Sequence, residues 1–286
     1  MPHAELLTGL GRLLRDVAQH EILPRFRTLA ASEIHSKPTP GDPDDLVTSA
    51  DRAAEAALLV SLPTLAPGSR VVGEEGVAAD PSLLDLLRQD GPVWIVDPLD
   101  GTRNFAAGRG PFGVMAALVQ RRAILAAGIF LPLEDRLFVA ARGEGAFANG
   151  VPLRADRRAG PKLVGTTSVR FAPAESARHL AARTAGHEQI PPAMCAAHEY
   201  AQIAQGRKDY AVYFRLLPWD HAAGALLVRE AGGAVRHPDG ADYDVLDENL
   251  PTLAAPSEAI WRRAREDLFG ASGGSSALGV PIRATR

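Results

Sequence analysis

Among its 286 residues the chain has a single cysteine, Cys195. One thiol cannot close an internal disulfide or build a cysteine-based zinc site, and it fits a reducing compartment. A basic excess is missing too: Lys+Arg 31 against Asp+Glu 34 leaves a formal charge of -3. The phosphate-neutralising attraction that dominates nucleic-acid affinity therefore has no source. No apolar run approaches the ~18 residues of a membrane-spanning helix. The opening MPHAELLTGLGRLLRDV likewise lacks a basic region followed by an apolar signal core. These absences predict a cytoplasmic protein with neither a nucleic acid nor a membrane as partner.

What is present is an ordinary globular composition, 46% hydrophobic and 23% charged. Its length fits one large α/β domain or two closely packed halves. Leu6, Leu10, Leu13, Leu14 and Val17 recur at three- and four-residue steps, which predicts an amphipathic helix ending near Pro24. The following HSKPTPGDPDD, at 35–45, reads as an exposed, mobile loop. A second helix is expected over roughly 49–62, with Thr48 and Asp51 at capping-box spacing. SRVVGEE and PVWIVDPLD read as buried strands that deliver carboxylates to a sheet edge. Residues 112–148 read as an antiparallel meander closed by a tight turn at Asn149-Gly150. Beyond it, KLVGTTSV and DYAVYF as strands, with PAESARHLAARTA and AHEYAQIAQG as helices, make an alternating α/β layer. WDHAAGALLVREAGG reads as a helix with Asp220 at or next to its N-cap and Gly232-Gly233 at its end. The closing segment at 271–286 reads as a flexible tail.

The acids Asp51, Glu74, Glu75, Asp97, Asp100 and Asp220 all fall at element ends. Gathered without a cation, such carboxylates repel and their pKa values rise. Mg2+ takes hard oxygen ligands in near-octahedral array and keeps some waters, so a few carboxylates with one main-chain carbonyl suit it. In DPLDGT, Pro98 fixes φ in what reads as a turn aiming Asp97 and Asp100 at one point. Gly101 lets main chain approach a phosphate, the amides near Gly101 and Thr102 suit an anion, and the Thr102 hydroxyl can exchange a proton with a water. Taken singly, each residue has a plainer role. Asp51 is the third member of a capping box, Asp220 an N-cap, Glu74-Glu75 a solvated turn and Cys195 a small buried side chain. His198 and His221 read as packed residues, not metal ligands.

The strings GEE at 73–75, DPLDGTRNF at 97–105 and WDHAAG at 219–224 follow DLVTSAD at 45–51. In that order they resemble the signature set of the inositol monophosphatase family, over about residues 5–270. The resemblance implies a layered α/β/α/β/α sandwich of the inositol monophosphatase and fructose-1,6-bisphosphatase type. It also implies one catalytic domain at 1–270, with an N-terminal half to about 155 holding most metal ligands, and a homodimer. The implied activity is Mg2+-dependent hydrolysis of a small, soluble phosphate monoester by activated water. Glu74, Asp97 and the Leu99 carbonyl would hold a first Mg2+; Asp97, Asp100 and Asp220 a second; Glu74 also a weaker third. Asp51, Thr102 and Glu74 would activate the water, and Lys37 resembles the lysine of a metal-gating loop.

Departures from the family pattern fall on the substrate side. Gly76 stands where many members have Ser or Thr, in the outer shell of the metal site. Tyr213 occupies the position seven residues before Asp220 where inositol-specific members carry a ring-binding glutamate. Cys195 and Ala196, within MCAAHEY at 194–200, replace a small, hydroxyl-bearing stretch that lines the substrate. Asp100, Gly101, Thr102, Cys195, Ala196, Tyr213 and Arg215 are thus the expected substrate contacts, and Arg215 is able to meet a second anionic group. Histidinol phosphate, fructose 1,6-bisphosphate and a 3'-phosphonucleotide remain alternative substrates, and a non-enzymatic binding or regulatory role remains the alternative class.

Overall fold

The computed structural model describes residues 3–270 except 38, 40–41, 156–158 and 248–250; the expected tail at 271–286 lies outside the described residues. Helix α1 (His3–Val17) buries Leu6, Leu10, Leu14 and Val17 and continues through a wide helical turn to Ile22, with Pro24 inside the short turn that ends it. A two-stranded ribbon, β1 (Ile34–Ser36) and β2 (Leu46–Thr48), brackets the 37–45 loop and leads into α2 (Ser49–Leu65). The capping box at this start is real. The Thr48 hydroxyl accepts from Ala50 N at 3.1 Å, and Asp51 accepts from Thr48 N at 2.8 Å.

Seven strands form the first sheet: β3 (Arg70–Gly73), β4 (Val93–Asp100), β5 (Gly113–Gln120), β6 (Ala123–Leu131), β7 (Arg136–Ala141), β8 (Gly145–Ala148) and β9 (Val151–Leu153). They lie in sequence order, β3 and β4 parallel and the rest antiparallel, so the expected meander is present with its turn at Asn149-Gly150. Helices α3 (Glu74–Ala79) and α4 (Thr102–Ala106) start where β3 and β4 end. The DPLD segment is not a turn. Strand β4 continues to Asp100 through a register shift between Asp97 and Asp100, where the missing N–H of Pro98 breaks the ladder.

The second sheet contains β10 (Val164–Thr167), β11 (Glu188–Gln189), β12 (Tyr210–Tyr213), β13 (Ala234–Arg236) and β14 (Thr252–Ala255), in the order β11-β10-β12-β14-β13. With it come α5 (Ala174–Arg183), α6 (Ala196–Ala204), α7 (Pro218–Glu230) and α8 (Glu258–Phe269).

Alternation along the strands sorts these helices into layers. Trp94, Val96, Val114 and Ala116 on one face of the first sheet meet α1 and α2, where Leu10, Leu14, Leu58 and Leu62 are fully buried, each worth ~2 kcal/mol. Ile95, Met115 and Ala117 on the opposite face meet α6 and α7, which also pack on Ala211, Tyr213, Val235 and Ala254 of the second sheet. Tyr210, Val212, Leu253 and Ala255 turn the other way, onto α5 and α8. The result is the expected α/β/α/β/α sandwich. Lying between two sheets, α7 has almost no solvent face, which explains its Ala-rich run. It approaches α6 closely at Gly224, where a Cβ would stand 2.1 Å from the Tyr200 ring. Among the described residues no helix is long and apolar enough to cross a membrane.

Candidate active site

The C-terminal end of β4 and the first turns of α3, α4 and α7 open on one cavity of ≈480 Å³. Glu74, Asp97, Leu99, Asp100, Gly101, Thr102, Cys195, Ala196, Tyr213, Arg215 and Asp220 all line it. Residues as far apart as Glu74 and Asp220 are thus brought together. Asp51 is not on the wall. It is fully buried behind Thr102, whose hydroxyl lies 2.9 Å from both Asp51 Oδ1 and the Leu99 carbonyl. A hydroxyl has one proton, so these two acceptors compete for it. Asp51 can reach a cavity water only through Thr102. Its capping and site roles coexist, since Oδ2 serves Thr48 and Oδ1 serves Thr102.

Asp97 and Asp100 flank the β4 irregularity and are nearly inaccessible. Asp97 accepts from Leu99 N at 3.0 Å; Asp100 accepts from Ala197 N at 2.7 Å and from the Cys195 thiol at 2.9 Å. Cys195 therefore orients Asp100 from the cavity wall, and burial followed by Asp100 pushes its own pKa far up. Gly101, at φ 87, turns the chain into α4, and a Cβ there would stand 2.9 Å from Pro111 O. Asn104 then ties that turn to the 193–197 segment by donating to Pro111 O and Ala193 O.

Asp220 is not an N-cap. Pro218 opens α7, Leu217 caps it, and Asp220 is the third helical residue, pointing into the cavity. Glu74 and Glu75 are not a solvated turn either. They begin α3, whose amides at Glu75 and Gly76 donate to Glu55 at 2.9 and 2.7 Å. Lys37 donates to both acids at 2.7 Å, which corrects the expectation of an exposed loop at 35–45. Asp42 is a second anchor, while His35, Ser36, Pro43 and Asp44 are exposed as expected. Asp42 is buried and receives Arg103 at 2.6 Å and Arg170 at 2.7 Å, one from each half of the chain.

Burial pushes up the carboxyls of Asp51, Glu55, Glu74, Glu75, Asp97, Asp100 and Asp220. Asp51 rises to about 6 and Glu74 to about 7, burial outweighing the Lys37 ammonium beside Glu74. Asp97 is raised well above its ordinary value by burial and then by Glu74, Asp100, Asp220 and Asp51; burial, Glu74 and Asp100 do the same to Asp220. Burial opposes the charge of Lys37, yet Glu74 and Glu75 hold it protonated. Among the described residues no three acid, histidine or cysteine side chains already close into a metal cage. The donor set nonetheless fits a hard divalent ion, with carboxylate oxygens, a carbonyl at Leu99 and cavity space for water and phosphate oxygens.

His221 and His198 behave as packed residues. His221 is buried, 2.9 Å from Tyr200 Oη and 2.8 Å from Arg215 O, and burial lowers its pKa to about 4. Tyr213 stacks on Tyr200 with its hydroxyl buried and without a hydrogen-bond partner among the described residues. Sequence reasoning missed Asp42, Glu55, Arg103, Arg170, Phe171 and Glu199. Glu199 lines the cavity, pairs with Lys208 and accepts from Ala193 N at 2.8 Å, so it braces the 193–197 wall. No local signal marks these residues: Asp42, Glu55, Arg103 and Arg170 work through partners distant in sequence, and Glu199 through partners 6 and 9 residues away.

Comparison with known proteins accords with this geometry. A family profile described as inositol monophosphatase family matches residues 5–268. The inositol-1-monophosphatase of Mesorhizobium japonicum is 36% identical over 230 residues, 77% of this chain and 81% of that one. The Nus factor SuhB of Pseudomonas aeruginosa is 37% identical over 206 residues, 68% of this chain and 73% of that one. The crystal structure of extragenic suppressor protein suhB from Bartonella henselae superposes with a TM-score of 0.77 at 27% identity, covering 93% of this chain and 99% of that one.

Proposed function

Since this chain belongs to the inositol monophosphatase family, we propose that it uses Mg2+ to hydrolyse a small phosphate monoester to its alcohol and inorganic phosphate. One observation carries the reading. Asp97, Asp100, Asp220 and Glu74 share a single cavity; burial raises all four carboxyls, and Glu74, Asp100 and Asp220 raise Asp97 further, despite Lys37 at Glu74 and Arg215 acting on Asp220. Such an arrangement is under electrostatic load until positive charge arrives. Glu74, Asp97, the Leu99 carbonyl, Asp100 and Asp220 are the groups that would hold two to three Mg2+. When bound, these ions neutralise phosphoryl oxygens and acidify water.

The chain's own side chains then handle one proton. A water on the cavity side of Thr102 Oγ1 passes its proton toward Thr102, whose hydroxyl in turn donates to Asp51 Oδ1 2.9 Å away. By family resemblance Glu74 is a second acceptor for this proton. The new bond joins the water oxygen to phosphorus, the ester P–O bond breaks, and the alkoxide leaves as the alcohol after taking a proton from solvent. Asp100, fixed by Cys195 and Ala197, keeps its orientation throughout. By family resemblance the working unit is a homodimer acting in the cytoplasm, with Cys195 reduced.

Phosphate release from a panel of inositol, sugar, nucleotide and amino-alcohol phosphates, with and without Mg2+, tests the reading. Release that depends on Mg2+ supports it, and no release from any ester in saturating Mg2+ rejects it.

A further inference from the structure

Part of the cavity wall is basic. Arg103, Arg170 and Arg215 all turn to the one buried carboxylate of Asp42, the first two onto its Oδ1 and Arg215 at 3.9 Å from Oδ2. Among the described residues Arg170 also lies 3.9 Å from Asp44, which is 79% exposed and hence screened, and the charge of Arg215 also reaches Asp220. Three guanidinium groups on one buried carboxylate leave an excess of positive charge on this part of the wall, which Phe171 completes.

Arg215 is the least satisfied of the three. Its Nε and Nη1 are buried, and among the described residues neither has a hydrogen-bond partner. Buried donors of a charged group left unmet are costly, and in a ligand-binding cavity they mark where an acceptor is missing. The guanidinium carbon also lies 3.9 Å from the centroid of the Phe171 ring, which packs against it. A fixed planar fork is preorganised for a two-oxygen anion. Resting on the phosphatase reading above, we propose that this wall receives a second anionic group on the alcohol part of the substrate. The preferred substrates are then phosphomonoesters whose alcohol also bears a carboxylate or a second phosphate, and esters of neutral polyols are poorer.

Initial rates of the Mg2+-loaded enzyme on matched pairs test this: 2-phosphoglycerate against glycerol 2-phosphate, and a hexose bisphosphate against the hexose monophosphate. The two pairs separate carboxylate from phosphate as the second anion. We expect the ratio of kcat/KM, anionic over neutral, to exceed one in the parent and to fall ten- to hundred-fold in Arg215→Ala. Arg215→Lys should recover part of it, because charge returns without the fork. Asp42→Asn should raise the ratio, because it removes the internal competitor. An equal fall on all four esters would put Arg215 on the transferred phosphoryl group, and a ratio unchanged by Arg215→Ala would make the cluster a loop clamp; either overturns the proposal. If no ester turns over, the phosphatase reading fails instead. Calorimetric binding of 2-phosphoglycerate to parent and Arg215→Ala then decides the subsite: tenfold weaker binding by the variant upholds it and equal binding rejects it.

Discussion

Metal-free protein should lose stability as the pH rises from 5 to 8, and Mg2+ should return that loss. Glu74 sets the magnitude. Burial outweighs Lys37 and carries its carboxyl from the ordinary 4.5 to about 7. A raised folded pKa means that the fold binds this proton more tightly than the unfolded chain does. The stabilisation is complete below pH 4.5 and disappears as the pH climbs through about 7. At ~1.4 kcal/mol per pH unit the swing is about 3 kcal/mol, or roughly 6–10 °C in Tm for a chain of this size. Asp51, carried from 3.8 to about 6, adds a swing of the same sign. His221 opposes it: lowered from 6.5 to about 4, its contribution is full above pH 6.5 and is lost on acidification toward pH 4. Comparing the parent with Glu74→Gln in a chelator isolates the Glu74 part by scanning calorimetry at half-unit pH steps. The variant should gain on the parent by about 3 kcal/mol between pH 5 and 8, and saturating Mg2+ should erase the parent's deficit at pH 8. A parent-to-variant difference that stays constant with pH would show that Glu74 titrates like a solvated acid and that the acids carry no load.

Thr102→Ala should lose at least a hundredfold in kcat while binding Mg2+ as tightly as the parent by calorimetry; unchanged turnover would reduce Thr102 to the first residue of a short helix. Gly224→Ala should destabilise the fold by ~1–3 kcal/mol on denaturant unfolding, because its methyl would stand 2.1 Å from the Tyr200 ring; an unaffected midpoint would mean that α6 and α7 separate without penalty. Millimolar Li+ should inhibit Mg2+-supported turnover by taking a cation position beside Asp97, Asp100 and Asp220; insensitivity in a dose series would place the chain in a Li+-tolerant branch.

The chemistry-bearing residues were largely legible because their types and spacing are local. DPLDGT places two acids, a carbonyl, a glycine and a hydroxyl within six residues, and few structural roles ask for that set together. The meander at 112–148 and the alternating second half were legible in their apolar runs and turn residues, whereas the five-layer stacking followed from the family resemblance. Pro98 misled, because proline marks turns more often than it marks the irregularity of a central strand. Pro218 shifted a helix start by supplying φ at N1, which moved Asp220 from cap to third residue. The 35–45 segment was misjudged for a deeper reason. Pro, Gly and Asp composition signals how a chain turns, not what its charges will meet, and Lys37 and Asp42 find partners 37 to 128 residues away. Glu55 was invisible likewise, looking like a solvated helix face while it holds the first amides of α3.

The account stands or falls on whether the buried carboxylates serve a cation that drives hydrolysis, and Asp97 is the acid most loaded by the others. Turnover of parent and Asp97→Asn should therefore be measured side by side on one hydrolysed ester, across a Mg2+ titration carried to saturation, with the metal-free melting of both recorded. The account predicts that kcat falls by several orders of magnitude in Asp97→Asn while its metal-free Tm is equal to or above the parent's. Comparable turnover of the two proteins at saturating Mg2+ would contradict it.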